Sequence, residues 1–236
     1  MDEQHWEKRY RSRARLFSGA PNEVLMTEVR GLPPGQALDV GCGEGADARW
    51  LAAQGWQVTA VDLSRTALRQ AATAGAGSAG QVAWTHGDPT VHPPPAGAFD
   101  LVSLQYFPLR RVPGHRALCG LLHAVAPGGT LLFVSHSPAE VGPQYDGYYQ
   151  PAEVATLLGN GWRVLTDESR PRSGPPPEGT HHTRDTVLRA VRGHRQRAGG
   201  PVIRPARRVL DSDERRTDVG GETDRRAPGV RESGTG

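Results

Sequence analysis

The stretch Ala37-Leu38-Asp39-Val40-Gly41-Cys42-Gly43-Glu44-Gly45 constrains the fold of this chain more than any other. Its first residues predict a buried strand, and the glycines predict a tight turn that opens a helix. Glycine lacks the Cβ atom that would keep a ligand away from the backbone, and the free amides at a helix start can donate to that ligand. The stretch therefore predicts a small-molecule site where the strand meets the helix.

Short apolar segments and helical segments alternate after residue 36. Strands are predicted at 36–40, 56–61, 82–85, 99–104 and 130–135, and helices at 46–54, 64–74 (with Ser64 as N-cap) and 114–126. Two further strands, at 162–167 and 185–191, follow each other without a helix and so form a hairpin. The expected fold is α/β: a Rossmann-like, doubly wound, seven-stranded sheet, mostly parallel with the last strand antiparallel, and helices on both faces.

The segments outside this alternation differ in composition. Residues 1–35 predict a short amphipathic helix, a loop and a second helix at 22–30, and residues 36–192 form the main domain. Residues 193–236 have no aromatic side chain, and ten arginines stand against seven acidic residues there. A segment of that kind buries too little apolar surface to fold, so we expect a disordered tail.

Overall composition excludes several classes of protein. The two cysteines, Cys42 and Cys119, are too few for a disulfide framework, which favours a reducing cytoplasm. The N-terminus has no apolar signal sequence, and no apolar run is long enough to predict a membrane span. The net charge is only +3 and Lys8 is the only lysine, so the arginines indicate a compositional bias rather than nucleic-acid binding.

Three acidic residues decide between two cofactors at the glycine turn. The pattern Gly41-x-Gly43-x-x-Ala46 also satisfies the dinucleotide fingerprint, so the glycines alone leave both interpretations open. Asp39, however, would repel a pyrophosphate and suits the ammonium group of S-adenosylmethionine (SAM). Asp62, which ends the next strand, can accept from ribose hydroxyls, and Asp88 after the third strand can accept from an adenine amino group.

These motifs together resemble the class I SAM-dependent methyltransferases over residues 5–192. The resemblance rests on the stretches Asp39–Gly45, Val61-Asp62-Leu63-Ser64, Phe99-Asp100-Leu101-Val102 and Pro127-Gly128-Gly129-Thr130-Leu131. It implies SAM as the cofactor, with Asp39, Gly41, Cys42, Gly43, Asp62, Leu63, Gly87, Asp88, Gln105 and Trp6 as expected contacts. Cys42 is expected to act there only as a small residue in a crowded turn.

A narrower resemblance is to the tellurite-resistance and thiopurine methyltransferase branch. It rests on Trp6-Glu7-Lys8-Arg9-Tyr10, on Ser18-Gly19-Ala20-Pro21-Asn22, and on His181-His182-Thr183-Arg184-Asp185 with Val187-Leu188-Arg189. In that branch the N-terminal segment helps to cover the cofactor, so residues 1–35 are expected to act as a lid. By this analogy Trp6 and Tyr10 pack over SAM, or else they anchor the first helix to the core.

The resemblance implies methyl transfer by in-line displacement, in which the protein mainly positions the reactants and excludes water. Gln105, Tyr106 and Phe107 follow the fourth strand, and His136 follows the fifth. Tyr106 and His136 are the catalytic candidates, with His136 as a general base because imidazole titrates near neutral pH. His181 and His182 are expected to close the pocket, and no metal site is predicted.

The acceptor is expected to be a small molecule that offers sulfur, oxygen, nitrogen or a metalloid. The residues after the fourth strand, Leu104-Gln105-Tyr106-Phe107-Pro108, lack the Pro-Pro-aromatic motif of DNA amino-methyltransferases. Two alternatives stay open at this point. One is an NAD-dependent oxidoreductase of Rossmann type, and the other is a non-catalytic SAM-binding regulator whose arginine-rich tail contacts RNA or DNA.

Overall fold

The computed structural model of the chain describes residues 2–75, 81–172 and 182–194. The helices are α1 (Glu3–Arg11), α2 (Glu23–Val29), α3 (Ala46–Ala53), α4 (Arg65–Ala74), α5 (Arg116–Ala124) and α6 (Pro151–Leu157). The strands are β1 (Gln36–Val40), β2 (Gln57–Asp62), β3 (Val82–His86), β4 (Phe99–Gln105), β5 (Val125–His136), β6 (Trp162–Pro171) and β7 (Arg184–Arg192). Predicted residue His181 and the predicted tail from residue 195 onward lie outside the described residues.

The seven strands form one sheet in the order β3-β2-β1-β4-β5-β7-β6. The pairs among β1 to β5 are parallel, whereas β7 is antiparallel to both of its neighbours, β5 and β6. Buried side chains of α2, α3 and α4 pack on one face of the sheet, and those of α5 and α6 pack on the other. The predicted doubly wound fold with its antiparallel last strand is thereby confirmed.

Local sequence signals explain several of the boundaries. The Ser64 hydroxyl accepts from the Ala67 amide at 3.1 Å, which confirms it as the N-cap of α4. Helix α5 begins at Arg116 rather than at residue 114, because Gly114 and His115 both have positive φ (69° and 53°) and cannot continue an α-helix. A short 3₁₀ turn, Pro113–His115, precedes it instead.

Helix α6 has no counterpart among the predicted elements. Its proline at the first helical position is a helix-start signal, but the helix is only seven residues long and follows a glycine- and proline-containing loop. Val154 and Leu157 are buried and hold the helix against the sheet. Such a short helix depends on tertiary packing in addition to its local start signal.

The sheet order brings the carboxyl ends of β1, β2, β4 and β5 to one edge. In an open α/β sheet the ligand crevice forms where the strand order reverses, which is here between β1 and β4. The glycine turn after β1 and the polar residues after β4 and β5 therefore face the same space. None of the helices within the described residues combines the length and the apolar character needed to cross a membrane.

Candidate functional site

A cavity of about 820 Å³ opens at this edge of the sheet. Its walls come from the glycine turn, the ends of β2, β4, β5 and β6, and the segment that precedes β1. Predicted site residues that line it are Trp6, Asp39, Gly41, Cys42, Gly43, Asp62, Leu63, Gly87, Gln105, Tyr106 and His136. The structure thus gathers most of the predicted site around one space large enough for a small-molecule ligand.

The glycine turn lies close to aromatic side chains on both sides. Gly41 has φ +72°, and a Cβ atom added there would lie 2.5 Å from Cδ2 of Phe107. A Cβ atom at Gly43 (φ +53°) would lie 2.7 Å from the Tyr10 hydroxyl. Both positions therefore require glycine for backbone conformation and for space, and the turn keeps its backbone open toward the cavity.

Asp39 is the most deeply buried acidic residue of the site. It is 2% exposed, and its Oδ2 atom has no hydrogen-bond partner within the described residues. Burial raises the pKa of this carboxyl well above its ordinary value of 3.8, and the charges of Asp47 and Asp62 raise it further. A cation bound beside Asp39 would remove this conflict, because it favours the ionised carboxylate.

Asp47, in the first turn of α3, is a second buried carboxylate, and sequence reasoning assigned it no role. It accepts hydrogen bonds from the backbone amide and from the side-chain amide of Asn22, each at 2.7 Å. Burial raises the pKa of Asp47 as well. An acidic residue two positions after the last glycine of the turn was the available signal, but the burial of Asp47 depends on the distant Asn22.

Asp62 ties the end of β2 to the glycine turn. Its two oxygens accept from the backbone amides of Gly43 (2.9 Å) and Ser64 (2.7 Å). Burial raises the pKa of Asp62, although these amides partly counter the shift. The neighbouring Leu63 lines the cavity and accepts at its carbonyl from Nε2 of His86 at 3.0 Å.

Asp88 lies beside the cavity rather than in its wall. Its neighbours Gly87 and Pro89 line the cavity, whereas Oδ1 of Asp88 accepts from the amide (2.8 Å) and the hydroxyl (2.6 Å) of Thr90. The side chain therefore closes the turn after β3, and its adenine contact stays a prediction.

Cys42 fits the crowded turn as expected. Its thiol is buried, and this burial raises its pKa well above the ordinary value, with Asp39 and Asp62 adding to the shift. The neutral thiol is a poor nucleophile in this setting.

The N-terminal segment is bound to the site by two carboxylates. Glu7 of α1 accepts from the hydroxyls of Ser64 and Thr66, each at 2.6 Å, and these bonds lower its pKa to about 2. Glu44 of the glycine turn accepts from the amides of Leu16 (2.6 Å) and Phe17 (3.0 Å). The segment is thus fixed both to the start of α4 and to the glycine turn.

Three aromatic rings of this segment, Trp6, Tyr10 and Phe17, line the cavity. Tyr10 is buried, and its ring centroid lies 6.2 Å from that of Trp6 and 6.2 Å from that of Phe17. Trp6 is partly buried, with the Arg9 guanidinium 5.0 Å from its ring centroid. The rings cover the glycine turn and anchor α1 at the same time, so both predicted roles of Trp6 and Tyr10 are compatible with the structure.

The opposite end of the cavity contains a stack of rings. The ring centroid of Tyr106 (φ 55°) lies 4.6 Å from that of His136, and the ring centroids of His136 and His182 lie 3.9 Å apart. Burial, together with the charges of His182 and Arg172, lowers the pKa of His136 to about 4. His136 is therefore neutral near pH 7 but a weak proton acceptor, and its role as general base stays a prediction.

Gln105 and the hairpin of β6 and β7 complete this end. Gln105 donates to the Ser103 hydroxyl at 3.0 Å, and its Oε1 atom has no hydrogen-bond partner within the described residues. Arg172 and Asp185, to which sequence reasoning assigned no role, also line the cavity. An Arg172 Nη1 atom lies 3.6 Å from Asp185 Oδ1, and its guanidinium lies 5.2 Å from the Tyr106 ring centroid.

Known proteins with similar sequences are methyltransferases. A methyltransferase-domain family model matches residues 37–129. An uncharacterized methyltransferase of Mycobacterium tuberculosis is 33% identical over 157 residues, which are 66% of this chain and 77% of that protein. A ribosomal RNA small subunit methyltransferase C of Chromohalobacter salexigens is 37% identical over 121 residues, but these are 49% of this chain and only 35% of that protein.

Solved structures share the fold. One solved structure superposes on this chain with a TM-score of 0.63 at 22% sequence identity. That structure concerns the conversion of a disulfide bond into a thioacetal group during echinomycin biosynthesis. The match covers 81% of this chain and 92% of that one. At this identity the likeness concerns the fold alone.

Proposed function

Because this chain belongs to the class I SAM-dependent methyltransferases, we propose that it transfers the methyl group of SAM to a small-molecule acceptor. The observation that carries the proposal is the cluster of buried carboxylates at the glycine turn. Burial raises the pKa values of Asp39, Asp47 and Asp62. Such a site favours a cationic ligand and repels a pyrophosphate, so it argues against the NAD alternative.

The residues of the site fit SAM group by group. The unpartnered Oδ2 of Asp39 would bind the ammonium group, and the glycine turn would let the methionyl part approach the backbone. Asp62 would bind the ribose in addition to the two amides it already accepts from. Gly87, Leu63 and the rings of Trp6 and Tyr10 would surround the remaining surface.

SAM supplies a methyl group that its sulfonium already activates. The chain's own part is then to hold both reactants in line and to keep water out. The N-terminal lid segment, fixed through Glu7 and Glu44, covers the glycine turn. Gln105, Tyr106 and His136 line the end of the cavity where we place the acceptor, called the acceptor end below. These side chains would orient the reactive atom of the acceptor.

The size and cover of the cavity support a small acceptor rather than a polymer. Its volume of about 820 Å³ lies within the range of small-molecule sites. The match to the ribosomal RNA methyltransferase covers only 35% of that protein, so it supports the shared domain and not the RNA substrate. Both cysteines are free thiols, which supports a reducing compartment such as the cytoplasm.

Calorimetry and a labelled-methyl screen test this function together. The purified chain is titrated with SAM and, separately, with NAD⁺ and NADH. Methyl transfer from radiolabelled SAM is then measured over thiols, phenols, amines and metalloid oxyanions. We expect SAM to bind and at least one small acceptor to be methylated. Binding of NADH without SAM would contradict the cofactor assignment, and SAM binding without any methylation would favour the non-catalytic regulator.

A further inference from the structure

Asp185 is a buried carboxylate at the acceptor end that the proposed mechanism leaves unused. It is 3% exposed, lines the cavity, and has no hydrogen-bond partner at Oδ1 within the described residues. In the pairing of β5 with β7 its Cα atom lies opposite that of His136. The fold therefore places a carboxylate directly beside Tyr106 and His136, where the acceptor would lie.

Charged and titratable groups approach Asp185 from every neighbouring element. They are Tyr106 after β4, His136 and Glu140 at and after the end of β5, Arg170 and Arg172 at and after the end of β6, and His182 before β7. Most of these charges have partners of their own. Arg170 is paired with Glu28 (2.9 Å) and Glu168 (3.1 Å), and Glu140 accepts from the amides of Thr183 and Arg184.

Arg172 is the cation closest to Asp185 among the ion pairs of the described residues. At 3.6 Å it favours the ionised carboxylate, yet it lies beyond hydrogen-bond distance of Oδ1. Arg172 favours the charged form, and although Tyr106 hydrogen-bonds to this carboxyl, Oδ1 has no partner within the described residues and can accept a proton. Burial raises the pKa of Asp185 from its ordinary value of 3.8, which makes the carboxylate a stronger base at neutral pH.

We propose that Asp185 is the general base of the reaction, and that the acceptor is therefore a small molecule whose nucleophile carries a proton, a hydroxyl or an amine. This inference rests on the proposed methyltransferase function. A lone pair on the acceptor oxygen or nitrogen forms the bond to the methyl carbon, and the carbon–sulfur bond breaks with its electron pair left on sulfur. The acceptor's proton passes to Asp185 and from there to solvent.

His136 is the less suitable base for the same step. Burial and the charges of His182 and Arg172 lower the pKa of His136 to about 4, so its basicity is reduced, whereas burial shifts the pKa of Asp185 in the opposite direction. Its stacked position between Tyr106 and His182 suits a positioning residue that fixes the Tyr106 ring.

The test compares Asp185→Asn with Asp167→Asn, which makes the same chemical change at an exposed position on β6. Both variants are assayed with labelled SAM on the acceptors found in the screen, and their SAM affinity is measured by calorimetry. We expect Asp185→Asn to lower kcat about 100-fold or more on a phenol, alcohol or amine, while SAM affinity stays within about twofold. Asp167→Asn should match the wild type.

A pH profile separates a base from a structural residue. In the wild type, kcat/KM should rise with pH as Asp185 ionises, and Asp185→Asn should lose this rise. Arg172→Gln removes the nearby cation, so the Asp185 pKa should increase and the rise should move to higher pH. A merely structural ion pair would change activity without moving the profile.

The outcomes also distinguish the two proposals. Turnover restricted to thiolates or metalloid oxyanions, with Asp185→Asn as active as the wild type, would overturn the inference and leave the methyltransferase function intact. An unchanged pH profile in Asp185→Asn would overturn it as well. Absence of methylation on every acceptor, with SAM bound, would overturn the proposed function and this inference with it.

Discussion

The negative charge of Asp39 is unfavourable beside the other buried acids, but it would be favourable beside the cation of SAM in the proposed complex. The carboxylate is buried beside two other acids, and its Oδ2 atom has no hydrogen-bond partner among the described residues. In the complex it would face the cation of SAM. We expect Asp39→Asn to weaken SAM binding at least about tenfold in calorimetry, because the charge that binds the ammonium is lost.

Asp62→Asn makes the same chemical change at the end of β2, and its effects on stability and SAM affinity can be compared with those of Asp39→Asn. The two oxygens of Asp62 each accept from a backbone amide, and an amide side chain keeps only one acceptor oxygen. This variant should therefore lower thermal stability as well as SAM affinity, whereas Asp39→Asn should not lower stability at neutral pH. Full SAM affinity in Asp39→Asn would show that the glycine turn is misassigned.

Two of the acidic residues that matter most in the structure could not be found from local sequence. Asp39 was recognisable because it stands at a strand end before the glycines. The burial of Asp47 depends on Asn22, which lies 25 residues away, and the place of Asp185 depends on the register of β5 with β7. The local sequence shows that these residues are acidic, but their burial and their neighbours depend on long-range pairing, so their roles could not be predicted.

The N-terminal segment that we propose as a lid is attached by contacts that can be tested separately from the fold. Glu44 accepts from two consecutive amides, those of Leu16 and Phe17. In Glu44→Gln one of these bonds and the negative charge are lost, so residues 12–20 should open more often. We expect faster hydrogen exchange there and faster dissociation of SAM, by about 3- to 10-fold.

The control for this element is Asp167→Asn, which removes an exposed carboxylate on β6, at the sheet edge opposite to β3 and its neighbour β2. It should leave hydrogen exchange in residues 12–20 unchanged. Equal exchange in Glu44→Gln and in the wild type would mean that the ring contacts of Tyr10 and Phe17 hold the lid without Glu44. Helix α6 shows the limit of prediction at this scale, because a seven-residue helix depends on tertiary contacts such as the buried Val154 and the ion pair of Arg111 with Glu153.

At the scale of the whole molecule, the alternation of strands and helices was sufficient to predict the sheet. Strand direction could be predicted from the connections, since a crossover helix allows parallel pairing and the lack of a predicted helix between β6 and β7 favours antiparallel pairing. The same topology then determines the site, because it brings four strand ends to one edge. The β6–β7 hairpin supplies Arg172 and Asp185 to the end of the cavity that we propose for the acceptor.

The buried acids of this edge also couple the stability of the whole chain to pH. A carboxyl whose pKa is raised on folding holds its proton in the folded state after the unfolded chain has lost it, so stability falls as pH rises above the ordinary value of 3.8. His136 acts in the opposite direction, because its pKa falls from 6.5 to about 4 on folding and stability therefore increases as pH rises through that interval. The pH dependence of the wild type alone mixes the two effects.

The difference between Asp39→Asn and the wild type isolates the carboxylate, because His136 contributes equally to both. We expect the melting temperature of ligand-free Asp39→Asn to exceed that of the wild type by a margin that grows as pH rises from about 4 to about 7. Saturating SAM should reduce this margin, since its cation would compensate the Asp39 charge. Both melting temperatures are measured by scanning calorimetry. A difference between them that stays constant with pH would mean that Asp39 titrates normally in the folded protein and carries no uncompensated charge.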